Sequence, residues 1–268
     1  MTPPRLISKW FGDNPQFARM ARVLEFTGRR HCPDWSIEVE RIVPAPRHSP
    51  LGIPSHAHNT MKMDVWTMAI AASEDGDRVL LIDSDTMILR PLDDVWAQDF
   101  DLAYTVKLTE RFPFNSGVVF LRVGPAVRRF ADAWQQENAR LLDHPQEHQR
   151  WRAKFGGINQ AALGAMLTQG LVAELGLRIV QLPCREWNCE DTSWGAFTPT
   201  TRIVHLKSAL RRAIFGLGPT QPRLRPLVGL WRQLEREAGG GLAELPVPEP
   251  RVFVLTRATK RRRLGLGR

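Results

Sequence analysis

"RVLLIDSDTMILRPLDDVW", residues 78–96, decides the fold. An apolar run from Val79 to Ile82 leads without a break into Asp83, and a second carboxylate follows at Asp85. A short, unbroken apolar run of this kind is a strand buried on both faces. A solvated turn needs no such approach. A buried strand delivers its C-terminal residues to a fixed place, and two carboxylates at i and i+2, where the chain bends away, converge on one hard cation. Magnesium or manganese accepts oxygen ligands of this type and keeps positions open for phosphate oxygens. The alternative reading of Asp83 and Asp85 is a turn with a helix-capping aspartate.

Outward from this strand the chain alternates. "RLISKWF" reads as a first strand, and "NPQFARMARVLEFTGRRH" follows with Phe17, Met20, Val23, Leu24 and Phe26 at helical spacing. "SIEVERIV" alternates as a strand does, a proline-rich connection runs from Pro44 to Pro54, and "NTMKMDVWTMAIAASE" reads as a helix up to Gly76. Beyond the acids, "DLAYTV" and "SGVVFLRV" are strands. "GPAVRRFADAWQQENARLL" is a helix with proline in its first turn, and "INQAALGAMLTQG" is a helix closed by Gly170. "LRIVQLP" and "RIVHL" are late strands. This order implies an open, mostly parallel α/β sheet flanked by helices, with ligands at the carboxyl ends of its strands. After about residue 216 the texture changes to one helix, "LVGLWRQLEREA", a "GGG" break, a stiff "PVPEP" and a candidate edge strand, "RVFVLT". The chain therefore divides into a catalytic-type domain over 1–215 and a helical, basic extension over 216–268.

The chain has 268 residues, 43% of them hydrophobic, and a net charge of +9. That is ordinary material for a substantial core. No apolar run approaches the roughly 18 residues that span a bilayer, and no signal-peptide pattern opens the chain. Cys32, Cys184 and Cys189 are sparse and lack metal-ligand spacing, which points to a reducing compartment, the cytoplasm. From Arg251 to Arg268 there are seven basic residues and no acid. Such a tail suits the anionic inner face of a membrane; a merely solvated tail is the alternative. Nucleic acid has no support beyond this tail and is not expected as a partner.

Five motifs in one order, spread over residues 5 to about 212, resemble the retaining glycosyltransferases of family 8, the group of glycogenin and the bacterial lipopolysaccharide galactosyltransferases. They are "KMDVW…RVLLIDSDTMILRPLDDVW", "FNSGVVFLR" at 114–122, "GGINQAAL" at 156–163, "LPCREWNC" at 182–189 and "RIVHLKSALR" at 202–211. The resemblance implies a GT-A fold and a hexosyl transfer from a nucleotide diphosphate sugar, with uridine diphosphate as the expected nucleotide. A glycan or lipid-linked acceptor and retention of anomeric configuration are implied with it. Asp83, Asp85 and His205 are implied as ligands of Mn2+ or Mg2+. Phe17 falls where the family stacks an aromatic on the base, a core residue being the alternative. Asp13 and Asn14 fall in the loop for base and ribose, with simple turn chemistry as the alternative. Arg211, with Lys207, matches a diphosphate contact, Lys62 a contact to the diphosphate or the donor sugar, Asn115 and Ser116 donor-sugar contacts, and Asn188 the asparagine of "LP…YN"; Lys62, Asn159 and Gln160 are the implied catalytic positions. Gln160 is implied as the residue that positions the reacting sugar.

Several positions depart from the family pattern. Asn159 stands where an acid precedes the glutamine, Lys107 where an acid often precedes "FNSG", and Ser208 where a glycine is usual. Asn159 and Lys107 motivate a second reading, a catalytically inactive protein that binds sugar nucleotides or glycans. A haloacid-dehalogenase-type phosphatase also ends a strand in two aspartates, but it wants Thr or Val where Met87 stands.

Overall fold

The computed structural model describes residues 2–42, 54–107, 109, 111–191 and 193–239. The basic segment 251–268, the candidate strand within it and most of the proline-rich connection lie outside the described residues. The chain runs β1 (Arg5–Phe11), α1 (Pro15–His31), β2 (Ser36–Ile42), α2 (Pro54–Ala71), β3 (Arg78–Ile82), β4 (Thr86–Ile88), β5 (Leu102–Val106) and β6 (Phe114–Arg122). Then follow α3 (Pro125–Asp143), α4 (Pro145–Phe155), α5 (Ile158–Thr168), α6 (Leu171–Glu174), β7 (Ile179–Pro183), α7 (Cys184–Trp187), β8 (Ile203–His205), α8 (Ser208–Ile214) and α9 (Arg225–Gly239).

Six strands form one sheet in the order β2-β1-β3-β6-β5-β7. β1 is parallel to β2 and β3, and β5 is parallel to β7; only β6 runs against its neighbours β3 and β5. The expected mixed, mostly parallel sheet is therefore present. Its faces explain the apolar run that announced it. On β3, Val79 and Leu81 enter the core under α2, α3 and α5, where Trp66, Phe130 and Trp134 also lie. Leu80 and Ile82 enter the opposite core, with Leu24, Trp96 and Phe120. With a period of two and both faces covered, every residue of the strand has to be apolar.

β4 and β8 make a separate two-stranded antiparallel ribbon. α1 lies against it: the Thr27 hydroxyl, buried in α1, accepts from the Ile88 backbone N–H at 3.1 Å. A third core joins α1, the ribbon, α8 and α9 through Met20, Val23, Met87, Leu210 and Trp231. Leu227, Val228 and Leu234 of α9 belong to the same core, so this late helix is seated on α1.

Three local features differ from the sequence expectations. α2 begins at Pro54, five residues before the expected start, because a proline without an N–H costs nothing in a first helical turn. α4 was not expected: "PQEHQRWRAKF" is polar, and only His148 and Phe155 are buried, so its apolar period is weak. β4 was read as part of a turn, since a three-residue strand gains its identity from a partner more than a hundred residues away.

His148 is 1% exposed and packs edge-on against His56, with ring centroids 4.7 Å apart. Burial, then His56 and Arg152, push the His148 pKa down to about 4. Between roughly pH 6.5 and 4 the unfolded chain binds a proton that the native chain refuses, so stability is full above that window and falls as the pH falls through it. A shift of this size corresponds to about 3 kcal/mol. Urea denaturation at pH 7.5 and pH 5 is expected to show His148→Leu losing less stability on acidification than the wild type; equal losses would remove His148 as the cause.

Ser208 has φ +43°, a left-handed conformation in which a glycine carries no Cβ penalty. Ser208→Gly is expected to raise stability by about 1 kcal/mol, read as an increase in Tm.

Candidate metal centre

The turn after β3 builds the site. Asp83 N–H donates to Gly117 O at 2.8 Å, one residue past the last β3–β6 pair, so Asp83 emerges at the carboxyl end of a central strand, opposite Gly117. The Thr86 hydroxyl donates to Asp83 O at 2.8 Å and tightens the turn. Asp85 precedes β4, and the pairing of Thr86 with His205 carries the imidazole to the acids. His205 Nε2 lies 3.0 Å from Asp85 Oδ1 and 3.7 Å from Asp83 Oδ2. One ligand atom from each of the three residues can be chosen so that all lie within 4.8 Å of one another.

Gly117 is the floor of this group. A Cβ there would stand 2.5 Å from His205 Cε1, 2.6 Å from Asp83 Oδ2 and 2.8 Å from Asn115 Oδ1. Any side chain at 117 would occupy the space in which the three residues converge.

The charges around the acids are arranged in pairs. Lys62 on α2 pairs with Asp83, and Arg211 on α8 pairs with Asp85 while its Nε donates to Leu206 O at 2.8 Å. Burial alone would raise the Asp85 carboxyl; His205 and Arg211 outweigh it and hold the group far below the usual carboxylate range. His205 is 0% exposed, and burial, reinforced by Lys207, lowers its pKa. Two carboxylates and one imidazole are a donor set that a divalent Mn2+ or Mg2+ accepts.

A cleft of about 310 Å3 opens beside this group. Trp10, Phe11, Phe17 and His58 line it, with the Phe11 and His58 rings stacked at 5.4 Å and 7°. Lys62, Asp83, Asp85, Lys207 and Arg211 line it as well, with Ser116, Asn159 and Gln160. The Gln160 amide is tied down: Nε2 donates to Phe114 O at 2.9 Å and to Phe155 O, and Oε1 accepts from Ser116 N–H at 3.4 Å. Asn159 Oδ1 accepts from the Gln160 N–H at 3.1 Å.

The other expected site residues lie elsewhere. Asn115 and Asn188 are 2% and 0% exposed and stand behind the cleft wall. Asn14 caps α1, accepting from Gln16 N–H at 2.9 Å. Asp13 is exposed and paired with Arg41. Met87, at the phosphatase-motif position, is fully buried in β4 and offers no hydroxyl. Sequence reasoning passed over Glu190, a 3% exposed carboxylate that takes Lys107, approaches Lys207 at 3.7 Å and accepts from Asn115 Nδ2 at 3.1 Å. It also passed over Lys9, which lines the cleft and pairs with Glu40 at 2.6 Å. A lysine inside an apolar strand was the available signal for Lys9; for Glu190 there was none, because its partners come from three separate segments.

No protein-family model matches the chain, and no curated protein matches it in sequence. Solved structures do match in shape. One is a glycosyltransferase involved in the glycosylation of the major capsid of PBCV-1, with 13% identity, 78% of this chain and 96% of that chain covered, and a TM-score of 0.54. Another is the apo-form glycosyltransferase GlyE of Streptococcus pneumoniae TIGR4, with 13% identity, 93% and 66% covered, and a TM-score of 0.55. A third is the galactosyltransferase LgtC in complex with donor and acceptor sugar analogs, with 13% identity, 90% and 97% covered, and a TM-score of 0.50. With its mixed six-stranded sheet and the Asp83–Asp85 turn at the carboxyl end of a central strand, the chain has the GT-A fold of these glycosyltransferases.

Proposed function

We propose that the chain is a metal-dependent glycosyltransferase that moves a hexose from a nucleotide diphosphate sugar, with UDP-hexose as donor, to a glycan or lipid-linked acceptor with retention. The convergence of Asp83, Asp85 and His205 beside a cleft lined by aromatic rings, cations and amides carries this reading. The three kinds of side chain match the three parts of such a donor. The aromatic rings offer faces on which a base stacks. Lys62, Lys207 and Arg211 suit phosphate oxygens. The amides of Asn159 and Gln160 suit sugar hydroxyls. The three ligands would hold Mn2+ or Mg2+, which when bound supplies charge stabilisation for the leaving diphosphate.

Retention is what the resemblance to the family-8 enzymes implies, and Asn159 and Gln160 bear on its route. A glutamine amide is a poor nucleophile, and Asn159 offers no carboxylate, so a covalent glycosyl-enzyme has no candidate there. Attack from the face of the departing phosphate remains: the acceptor hydroxyl forms the new bond to the anomeric carbon as the old carbon–oxygen bond breaks, and a donor phosphate oxygen takes the hydroxyl proton. With Nε2 held by two carbonyls, the Gln160 Oε1 presents a partial negative charge for the cationic character that develops on the sugar.

The second reading is a protein that binds sugar nucleotides without transfer, and it is favoured by Asn159 at the cleft wall. Hydrolysis of UDP-hexose with and without Mn2+ separates the two. Among the described residues no helix is long and apolar enough to cross a membrane. A peripheral place at the inner membrane face, through the basic segment, belongs to this proposal.

Asp85→Asn is expected to lower turnover at least about a hundredfold, the scale of losing a preorganised charge-stabilising group. Gly117→Ala should do the same through the crowding of His205 and Asp83. Undiminished turnover in excess chelator would defeat the metal reading.

Gln160→Ala is expected to reduce turnover strongly while leaving UDP affinity nearly unchanged, since the residue is proposed to touch the sugar and not the base. NMR of the first-formed glycoside should show an α linkage from an α-linked donor. A β product would mean inversion and would require a general base elsewhere in the cleft.

A further inference from the structure

Glu190 is a buried carboxylate that two lysines approach from different segments, and one of the two lines the cleft. Lys107 follows β5, and its backbone N–H donates to Pro113 O at 2.7 Å, which ties it to the residue before β6. Its side chain is 7% exposed and pairs with Glu190 Oε1. Lys207 follows β8, is 29% exposed in its side chain, and lines the cleft with its ammonium 3.7 Å from Glu190 Oε2. Neither Lys107 nor Glu190 is among the lining residues. Glu190 is held in place: its carbonyl accepts from the Ser193 and Trp194 N–H groups at 2.6 and 3.0 Å, and Oε2 accepts from Asn115 Nδ2 at 3.1 Å.

The two lysines compete for one acid. A carboxylate with 4% of its side chain exposed attracts a cation strongly, because little water screens the pair. With Lys207 as its sole counter-charge, Glu190 would draw that ammonium off the cleft, and a phosphate oxygen would have to displace the carboxylate to reach it. Lys107 removes this demand. It takes Oε1 in direct contact, the Asn115 amide takes Oε2, and Lys207 is left with the longer approach. The charge of Glu190 is thus answered from behind the cleft wall, by a cation that does not itself line the cleft.

We propose that Lys107 is a positioning residue: by neutralising Glu190 it leaves Lys207 free to take an oxygen of the donor diphosphate. The inference rests on the reading of the cleft as a site for a nucleotide diphosphate sugar. It gives Lys107 a task at a distance from the donor, through Glu190 and Lys207 in turn, and it accounts for a base at this position without placing that base on the substrate. A charge-assisted hydrogen bond from Lys207 to phosphate is the quantity at stake, and losing one weakens binding about tenfold.

The test titrates the full chain with UDP, and with uridine in competition, at constant Mn2+. Lys107→Met leaves Glu190 to Lys207; it should weaken UDP about tenfold and leave uridine within about twofold, since the nucleoside has no phosphate. Lys107→Arg keeps the charge and should stay within about threefold of the wild type for UDP. Glu190→Gln removes the competing acid and should tighten UDP. That gain should vanish when Glu190→Gln is made in Lys207→Met, because two changes that act through one contact are not additive. Where Lys107→Met or Glu190→Gln fails to fold, the other decides alone. UDP affinity unchanged in Lys107→Met, uridine weakened as much as UDP, or a Glu190→Gln effect equal with and without Lys207, overturns the inference. Wild-type protein that binds no UDP in the presence of Mn2+ overturns the donor reading, and this inference with it.

Discussion

Two carboxylates at the end of a buried strand repel each other, and the site is built around that repulsion. At about 4 Å and an effective dielectric near 20, two like charges cost about 4 kcal/mol. Asp85 is 8% exposed, so water relieves little of it. The relief comes from three separate elements. α2 brings Lys62, β8 brings His205, and α8 brings Arg211. A hard cation would relieve the same repulsion, and the cationic side chains would then be free for the oxygens of a diphosphate. The acids therefore account for the cations and the imidazole that converge on them.

How much of this was legible in the sequence depended on how local each cause is. The sheet was legible because burial on both faces demands an apolar run, and β3 and β6 show one. Asp83 and Asp85 were legible because the same run delivers them. His205 was legible by resemblance, but its approach to the acids is a register fact: Thr86 opposite His205, across a pairing that no local pattern encodes. α4 was missed because a helix with two buried residues has almost no apolar stripe. Glu190 was missed because a buried acid cannot be told from an exposed one until its lysines are located.

Ser208 shows a different kind of legibility. The sequence marked it as a departure from a usual glycine, and the backbone there has the left-handed φ that glycine favours. The turn into α8 is thus retained with a side chain that strains it. That turn places Lys207 and Arg211, i and i+4, on the cleft. Placement of these cations is the reason for the chain to tolerate a cost of about 1–2 kcal/mol.

The remaining departures divide by what reaches the cleft. Lys107 replaces an acid, yet its ammonium is buried against Glu190 and is not part of the cleft wall. Burial lowers its pKa, and the Glu190 carboxylate beside it offsets the charge that remains. The pair is a local exchange of charge: a base where the family has an acid, and an acid beside it. Breaking one partner of such a pair would leave an uncompensated buried charge, at about 3–5 kcal/mol. The exchange can persist only as a pair, and its field at the cleft is that of a dipole. Asn159 is different. It lines the cleft, where the carboxylates among the lining residues are those of Asp83 and Asp85. Under the proposed function, what is left beside Asn159 to stabilise positive character on a sugar is the Gln160 carbonyl dipole, pinned by Phe114 and Phe155. A fixed dipole stabilises less than a full charge, but its desolvation costs far less than that of an ionised acid.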